Sequence, residues 1–213
     1  MSIRTVVNEI SSVHLDNVFN PYKDVCPHYD LTDAPKIRRQ NLTKYLSLIE
    51  QSDNKTLWMG RDLGYRGGRR TGLALTDEFH LDKFHHVFEV GMKKSTKGAA
   101  FKERTATEIW SLLFQLPITP LLWNVFPFHP HEPDNPMSNR KFSAKELRLA
   151  EEINYSLIRE LGIQEIIAIG NDAESYSKRF GLKVTKVRHP SYGGVKDFRK
   201  GITSYYSYLL STV

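Results

Sequence analysis

Four short apolar segments alternate along the chain with stretches whose apolar residues recur at helical spacing. Strands separated by helices favour a parallel sheet with helices on both faces, because parallel neighbours need a crossover connection. The first three segments are apolar enough to be strands that are buried on both faces. The four predicted strands are TLWMG (56–60), PLLWNVF (120–126), EIIAIG (165–170) and LKVTKV (182–187).

Two long helices carry recognisable boundary signals. Proline is tolerated in the first turn of a helix, so Pro35 indicates a helix over about residues 34–51. Ser143 and Glu146 have the spacing of a capping box, and the apolar stripe that follows them stops at Gly162. Both segments are therefore predicted to pack as amphipathic helices.

Three shorter helices are also predicted. Thr105 and Glu108 repeat the capping-box spacing, so a helix is expected to begin at Thr105, and Pro117 ends it. The other two helices are predicted over about residues 172–180, ending at Gly181, and over about residues 195–210.

Ligands of open α/β sheets bind beyond the carboxyl ends of the strands. This rule selects the loops that follow the four predicted strands. They comprise residues 60–72, 124–140, 170–172 and 188–194.

The length of the chain, 213 residues, suits one domain, with residues 1–52 expected to form a helical part packed on it. The sequence lacks an apolar run of about 18 residues, the length that a membrane span needs. Its N-terminal residues resemble no secretory signal, which predicts a cytoplasmic protein. Cys26 is the single cysteine. One thiol cannot form a disulfide within the chain or a four-cysteine iron–sulfur or zinc site.

Basic residues outnumber acidic ones, 30 against 24, and they are clustered. Residues 178–200 contain eight Lys or Arg and one acid, and residues 60–72 contain four arginines around one acid. Such clusters are either solvated surface or contacts for a polyanion. A third group consists of Lys93, Lys94, Lys97, Lys102 and Arg104.

Loop 60–72 combines arginines and glycines around the carboxylate of Asp62. Glycines let backbone N–H groups approach an anion, and arginines add charge and forked donors. The loop lacks the Gly-Lys-Ser/Thr ending of a P-loop and the spacing of a dinucleotide fingerprint. A mobile surface turn is the alternative, with Asp62 as a helix cap or an arginine partner.

Asn124 lies near the end of the second predicted strand. A polar amide there must be satisfied by backbone or by a ligand. Its acceptor and donor match the N3–H and O4 edge of uracil and conflict with cytosine. His129, His131, Glu132 and Asp134 allow a metal site as a less favoured alternative.

The fourth loop, VRHPSYGG, places His189 and Ser191 directly after the last predicted strand. Gly193 and Gly194 permit a close backbone approach. A Ser/His hydrolase is conceivable, but a nucleophile-elbow pattern is missing. The position of His189 at the sheet edge favours convergence with Asp62 and Asn124.

Three motifs together resemble the uracil-DNA glycosylase superfamily, in an uncharacterised branch without an iron–sulfur cluster. The similarity covers most of residues 55–205 and implies a three-layer α/β/α sandwich around a mostly parallel four-stranded sheet. The segment NPYKDVCPHYDLTDAP (20–35) is also similar to glycosylase-like members. The motifs are GRDLGYRGGRRTGLALT (60–76), LLWNVFPFHP (121–130) and RHPSYGG (188–194).

The resemblance implies a role for each matching residue. Asp62 corresponds to the water-orienting carboxylate, Asn124 to the base-reading amide, and His189 to the donor to uracil O2. Leu75 replaces the stacking phenylalanine, so stacking on the base is expected to be weak or to fall to Tyr65, Phe126 or Phe128. The residues implied for phosphate and DNA contact are Gly60, Arg61, Gly64, Arg66, Arg69, Arg70, Arg188, Ser191 and Arg199.

These correspondences imply a monomeric DNA glycosylase, without metal or cofactor, that removes uracil or another deaminated base flipped out of DNA. Gly64 stands where some members carry a thymine-excluding tyrosine, so exclusion of thymine is in question. A catalytically weak nucleic-acid-binding member of the same fold and an enzyme that acts on free nucleotides or nucleosides are the alternatives.

Overall fold

A computed structural model describes residues 2–207. Its central sheet has four parallel strands in the order β3-β2-β5-β6, which confirms the predicted fold class. A second, two-stranded antiparallel sheet pairs β1 with β4. The strands are β1 (Val18–Phe19), β2 (Thr56–Asp62), β3 (Leu121–Phe126), β4 (His129–Pro130), β5 (Glu165–Ile169) and β6 (Lys183–Val187).

Helices of the described chain lie on both faces of the central sheet. They are α1 (Ile3–Ser12), α2 (Ala34–Gln51), α3 (Gly68–Thr71), α4 (Glu78–Leu81), α5 (His85–Phe88), α6 (Arg104–Leu113), α7 (Ala144–Leu161), α8 (Asn171–Ser177) and α9 (Val195–Tyr205), with a 3-10 turn at Lys178–Phe180. None of the helices within residues 2–207 combines the length and the hydropathy that a membrane crossing needs.

Neighbouring residues of β2 show how the layers are assembled. Trp58 points to one face and donates its Nε1–H to the hydroxyl of Tyr206, just after α9, at 2.9 Å. Met59 points to the other face, where the Ser177 hydroxyl of α8 contacts its sulfur at 3.2 Å. Trp123, in register with Met59, donates to Asn154 of α7 at 2.8 Å. The sheet is therefore the middle of three layers.

Most predicted helix boundaries are confirmed, but three are wrong. Helix α6 starts before Thr105 and ends at Leu113 instead of reaching Pro117, and α9 ends at Tyr205. The capping box of Ser143 and Glu146 is present, and Gly162 ends α7 with a φ of 64°. Helix α6 begins one residue before Thr105, because the carboxylate of Glu103 accepts from the N–H groups of residues 105 and 106 and is the N-cap. The last three residues of the helix predicted over 195–210 lie outside the described residues.

Candidate functional site

A cavity of about 830 Å³ opens at the carboxyl edge of the central sheet. Asp62, Asn124 and His189, which come from three different predicted loops, all line it. Two of these residues belong to strands, because β2 extends to Asp62 and β3 extends through Asn124 to Phe126. The predicted convergence at this edge follows from the parallel register of the strands.

The side chain of Asn124 is buried and has an unsatisfied acceptor. Its Oδ1 atom has no hydrogen-bond partner within residues 2–207. Gly60 lies opposite it on β2, and a Cβ atom built at Gly60 would be 2.5 Å from that oxygen and 3.0 Å from Leu75 Cδ2. The absence of a side chain at position 60 makes room for the amide. A buried, unpaired acceptor in a cavity wall suits a ligand with an N–H donor.

Asp62 is held by its neighbour in the sequence. The Nε–H of Arg61 donates to Asp62 Oδ2 at 2.6 Å, and Arg61 Nη1 lies 3.5 Å from a carboxylate oxygen of Asp172. Burial raises the pKa of Asp62, and the guanidinium of Arg61 opposes that rise. The carboxylate is thus both poorly hydrated, which makes it a stronger base, and paired with an arginine.

His189 is held in one tautomer by its own loop. The backbone N–H of Ser191 donates to Nδ1 at 3.1 Å, so Nδ1 is the acceptor and the proton of the neutral ring is on Nε2. Burial lowers the pKa of His189, while the carboxylate of Glu103 opposes that effect. The structure therefore favours a neutral imidazole that donates through Nε2.

Backbone conformation and close packing shape the walls beside these groups. Gly170 has a φ of 94°, and its Cβ position would be 3.3 Å from His189 Cβ, so the turn after β5 supports the histidine loop. Leu75 has a φ of 56° and contributes its side chain to the cavity. Gly64 also lines the cavity, but its Cβ position has no heavy atom within 4 Å. The wall is crowded at Gly60 and open at Gly64.

The residues proposed for stacking are placed differently from one another. Tyr65 lines the cavity, and Arg66 Cζ lies 5.2 Å from its ring centroid. Phe126 is fully buried and packs against Phe128 and Phe142, with ring centroids 5.3 and 5.1 Å away. Phe126 and Phe128 are both fully buried and do not line the cavity, so the expectation that either stacks on a base there is wrong.

Three of the predicted phosphate-binding arginines do not line the cavity. The guanidinium of Arg69 is buried 4.1 Å from the ring centroid of Phe19 and donates to the carbonyl of Pro136. Arg70 pairs with the buried carboxylate of Glu78 at 3.1 Å. Arg199 pairs with Glu108 at 2.7 Å. The charges of these three arginines are used in contacts within the protein. The other residues predicted to contact phosphate or DNA do line the cavity, and they are Gly60, Arg61, Gly64, Arg66, Arg188 and Ser191.

Two acidic residues of the cavity were not predicted as site residues. Asp172, in the first turn of α8, lies in the loop region that the carboxyl-end rule selects, so its position carried a signal. No such signal marked Glu103, because it precedes α6 and lies outside the four loops that follow the predicted strands. Its carboxylate accepts from the N–H groups of Thr105 and Ala106, both at 2.9 Å, and faces into the same cavity.

The histidines of residues 124–140 serve the packing of this region. The Nδ1–H of buried His129 donates to the carbonyl of Leu63 at 2.7 Å, and burial lowers the pKa of His129 to about 4. His131 lies 5.9 Å from it, centroid to centroid. Residues 2–207 hold no group of three or more His, Cys, Asp or Glu placed to bind a metal ion, so the metal alternative has no cluster there.

Comparison with solved structures identifies the fold. The chain is similar to the crystal structure of wild-type SMUG2 from Pedobacter heparinus, with a TM-score of 0.66 and 16% sequence identity. The match covers 99% of this chain and 97% of the other. SMUG2 is a member of the uracil-DNA glycosylase superfamily, so the chain has a glycosylase-like fold. No protein-family model and no curated protein sequence matches the chain.

Proposed function

We propose that this protein is a monofunctional DNA glycosylase that hydrolyses the N-glycosidic bond of uracil or another deaminated base. The observation that carries the proposal is the meeting of Asp62, Asn124 and His189 in one cavity, with Asn124 Oδ1 buried and unpaired. The carboxylate can accept a proton, the amide can both accept and donate hydrogen bonds, and the neutral imidazole can donate one through Nε2–H. Their placement around one space suits a polar base with a sugar beside it.

The reaction needs charge stabilisation on both sides of the bond that breaks. As the bond between C1′ and the base nitrogen lengthens, the sugar gains positive character and the base leaves with the bonding electron pair. The Asp62 carboxylate stabilises the sugar and accepts a proton from the water that attacks C1′. His189 donates a hydrogen bond through Nε2–H to the base oxygen on which negative charge develops. The base anion takes up a proton from solvent and Asp62 releases to solvent the proton that it took from water, so the products are the neutral free base and an abasic sugar.

Asn124 gives the site its selectivity. Its Oδ1 accepts from a ring N–H of the base, and its amide N–H₂ donates to the adjacent carbonyl. Uracil and other deaminated bases present this pair of groups, whereas cytosine presents an acceptor and an amino group in their place. A base without the ring N–H would leave Asn124 Oδ1 buried and unpaired, which costs binding energy.

The rim of the cavity suits a DNA strand from which one nucleotide has been flipped. Arg66 and Arg188 supply positive charge beside the cavity, and Ser191 supplies a hydroxyl donor for a phosphate. Tyr192 follows Ser191 with a φ of 52° and is 96% exposed. An exposed aromatic side chain at this place can fill the gap that the flipped base leaves in the stack.

The proposal is tested by base release from matched single- and double-stranded oligonucleotides that contain uracil, hypoxanthine, xanthine or a thymine mismatch. Release of a deaminated base, inhibited steeply by rising salt, is the expected result, because phosphate contacts depend on salt. Release only from free nucleosides or nucleotides, with little dependence on salt, contradicts the proposal and favours an enzyme of small molecules.

A second candidate is a nucleic-acid-binding protein of the same fold without efficient catalysis. Two observations favour it: Asp62 is paired with Arg61 at 2.6 Å, and Leu75 stands where the superfamily's motif has an aromatic residue. Tight, salt-sensitive binding to uracil-containing DNA without release of the base is the result that selects this candidate.

A further inference from the structure

A chain of alternating charges runs from the carboxylate of Asp62 to the surface of the protein. Arg61 donates its Nε–H to Asp62 Oδ2 at 2.6 Å, and its Nη1 lies 3.5 Å from Asp172 Oδ2. On the other side of Asp172, the ammonium group of Lys141 lies 3.0 Å from Oδ1. The side chain of Asp62 is 9% exposed, whereas that of Asp172 is 39% exposed. One guanidinium is thus shared by an inner and an outer carboxylate.

The contact between Arg61 and Asp62 uses only part of the guanidinium. One N–H meets one carboxylate oxygen, although an arginine can form two parallel hydrogen bonds with a carboxylate. Nη1 is instead the ion-pair partner of Asp172. Each hydrogen bond to the ionised form of a carboxyl group favours that form and makes the carboxylate a weaker base. The position of Asp172 therefore keeps Asp62 incompletely neutralised.

Helix α8 has a second acid in its first turn, Glu174, where negative charge is also favourable. Glu174 pairs with Lys178 and Lys186 at 3.0 and 3.1 Å and does not line the cavity. Exposed ion pairs such as the one between Asp172 and Lys141 contribute little to stability. What distinguishes Asp172 from Glu174 is therefore its place in the cavity beside Arg61.

We propose that Asp172 is a positioning residue that holds part of the Arg61 guanidinium away from Asp62 and so keeps Asp62 available as the base that activates water. This inference rests on the proposed function. Asp172 also acts through its charge, because a second carboxylate nearby disfavours the ionised form of Asp62 and raises its pKa. Lys141 binds Asp172 from the other side and limits its attraction for Arg61.

The remaining charged groups near Asp62 are the same in the wild type and in the variants that test this role. Arg140 lowers the pKa of Asp62, but its guanidinium is bound to Glu146 by hydrogen bonds of 3.0 and 2.6 Å. The other titratable or charged side chains of the cavity are those of Tyr65, Arg66, Glu103, Arg188, His189 and Tyr192. A change in the titration of Asp62 can thus be assigned to Asp172 and its two partners.

The proposal is tested by an NMR titration of the Asp62 carboxyl carbon in the DNA-free protein, with Asp62→Asn to identify its signal. Asp172→Asn removes a negative charge and leaves the whole guanidinium to Asp62, so the titration midpoint is expected to move to lower pH. Lys141→Gln frees Asp172 to draw Arg61 away from Asp62, so the midpoint is expected to move to higher pH. In the Asp172→Asn background, Lys141→Gln is expected to have a much smaller effect, because Lys141 acts through Asp172.

The matched control is Glu174→Gln, which removes a carboxylate from the same turn of α8 outside the cavity. It is expected to leave the titration of Asp62 unchanged, and Asp172→Glu, which keeps the charge, is expected to retain the midpoint of the wild type. Equal melting temperatures show that folding is intact. An unchanged or raised midpoint in Asp172→Asn, an equal shift in Glu174→Gln, or equal effects of Lys141→Gln in both backgrounds overturns the proposal.

The acidic limb of the pH–rate profile for base release is expected to move with the titration, and Asp172→Asn is expected to lower the plateau rate, because a weaker base accepts a proton less readily. The titration itself needs neither DNA nor turnover. If no base is released from any substrate but the midpoint of Asp172→Asn falls, the sharing of Arg61 stands and the glycosylase proposal fails. If bases are released but the midpoint and the limb of Asp172→Asn match those of the wild type, the role of Asp172 fails and the glycosylase proposal stands.

Discussion

Gly60 and Asn124 face each other on β2 and β3, and a Cβ atom at position 60 would stand 2.5 Å from the side-chain oxygen of Asn124. Gly60→Ala is therefore expected to displace the amide and to lower the rate of base release by about 100-fold, because misplacement by about 1 Å costs that much. Single-turnover base release measures this loss.

Gly64→Ala is the matched control for Gly60→Ala. Gly64 lines the same cavity, but its Cβ position has no heavy atom within 4 Å. The rate for Gly64→Ala is expected to stay within a few-fold of that of the wild type. Equal losses in the two variants contradict the assignment of Asn124 as the group that Gly60 makes room for.

The contact between Arg61 and Asp62 predicts a shift of the acidic limb of the pH–rate profile. Asp62 acts as a base only when ionised, so the rate rises as the pH increases through its pKa. Arg61 lowers that pKa against the effect of burial. Arg61→Gln removes the lowering charge, and the limb is expected to move to higher pH.

Arg66→Gln controls for the loss of a positive charge in the cavity, since the guanidinium of Arg66 lies over Tyr65 and not on Asp62. Its acidic limb is expected to stay in place while DNA binding weakens. If the acidic limb of the pH–rate profile of Arg61→Gln does not move, or moves to lower pH, Asp62 is not the base.

The tautomer of His189 predicts that the rate of base release depends strongly on the hydrogen bond that its Nε2–H donates. Loss of one preorganised donor to a developing anion costs about 10²- to 10³-fold in rate, and His189→Ala is expected to fall in this range. Ser191→Ala keeps the backbone N–H that donates to Nδ1, so its loss is expected to be smaller and mainly in KM. A larger loss of kcat in Ser191→Ala than in His189→Ala contradicts the account.

Buried His129 predicts a pH dependence of folding stability. Its pKa is about 4 in the folded protein, against about 6.5 in the unfolded chain. The unfolded state thus binds the proton first, and stability is lost as the pH falls below about 6.5. Between about pH 7.5 and pH 5 this group is expected to remove about 2 kcal/mol from the free energy of unfolding.

His129→Asn keeps an N–H donor near the position of Nδ1 but does not titrate in this range. Urea unfolding at the two pH values measures the difference, which is expected to be about 2 kcal/mol smaller in the variant than in the wild type. The comparison cancels the other titrating groups, His189 included. An equal pH dependence in both proteins shows that His129 is not buried as the structure has it.

Local sequence signals predicted those parts of the fold that depend on neighbouring residues. The capping box of Ser143 needs only residues within one turn, and it is present. The same signal at Thr105 was wrong, because the N–H of Glu103 is held by Asp77, which is 26 positions away, and the helix begins at this anchor. Contacts between distant residues therefore decided which of two possible caps is used.

In the candidate site, too, some features could be predicted from the sequence, whereas others depend on contacts between distant residues. Strand ends placed Asp62, Asn124 and His189 at one edge, since parallel strands put their carboxyl ends together. The positions of the Arg69 and Arg70 guanidinium groups depend on Phe19, Tyr29 and other residues far away in the sequence. An arginine in a glycine-rich loop carries no local sign of such aromatic partners, so the sequence could not separate these two from the arginines of the cavity.

The role of Asp62 in catalysis is tested by single-turnover release of uracil from a single-stranded oligonucleotide by the wild type and by Asp62→Asn. The substitution keeps the size of the side chain and removes the charge that stabilises the sugar and accepts the proton of water. The wild type is expected to release uracil, and the variant to do so about 10²- to 10⁴-fold more slowly, the contribution typical of a general base, with unchanged DNA binding. Equal rates in the two proteins would contradict this role.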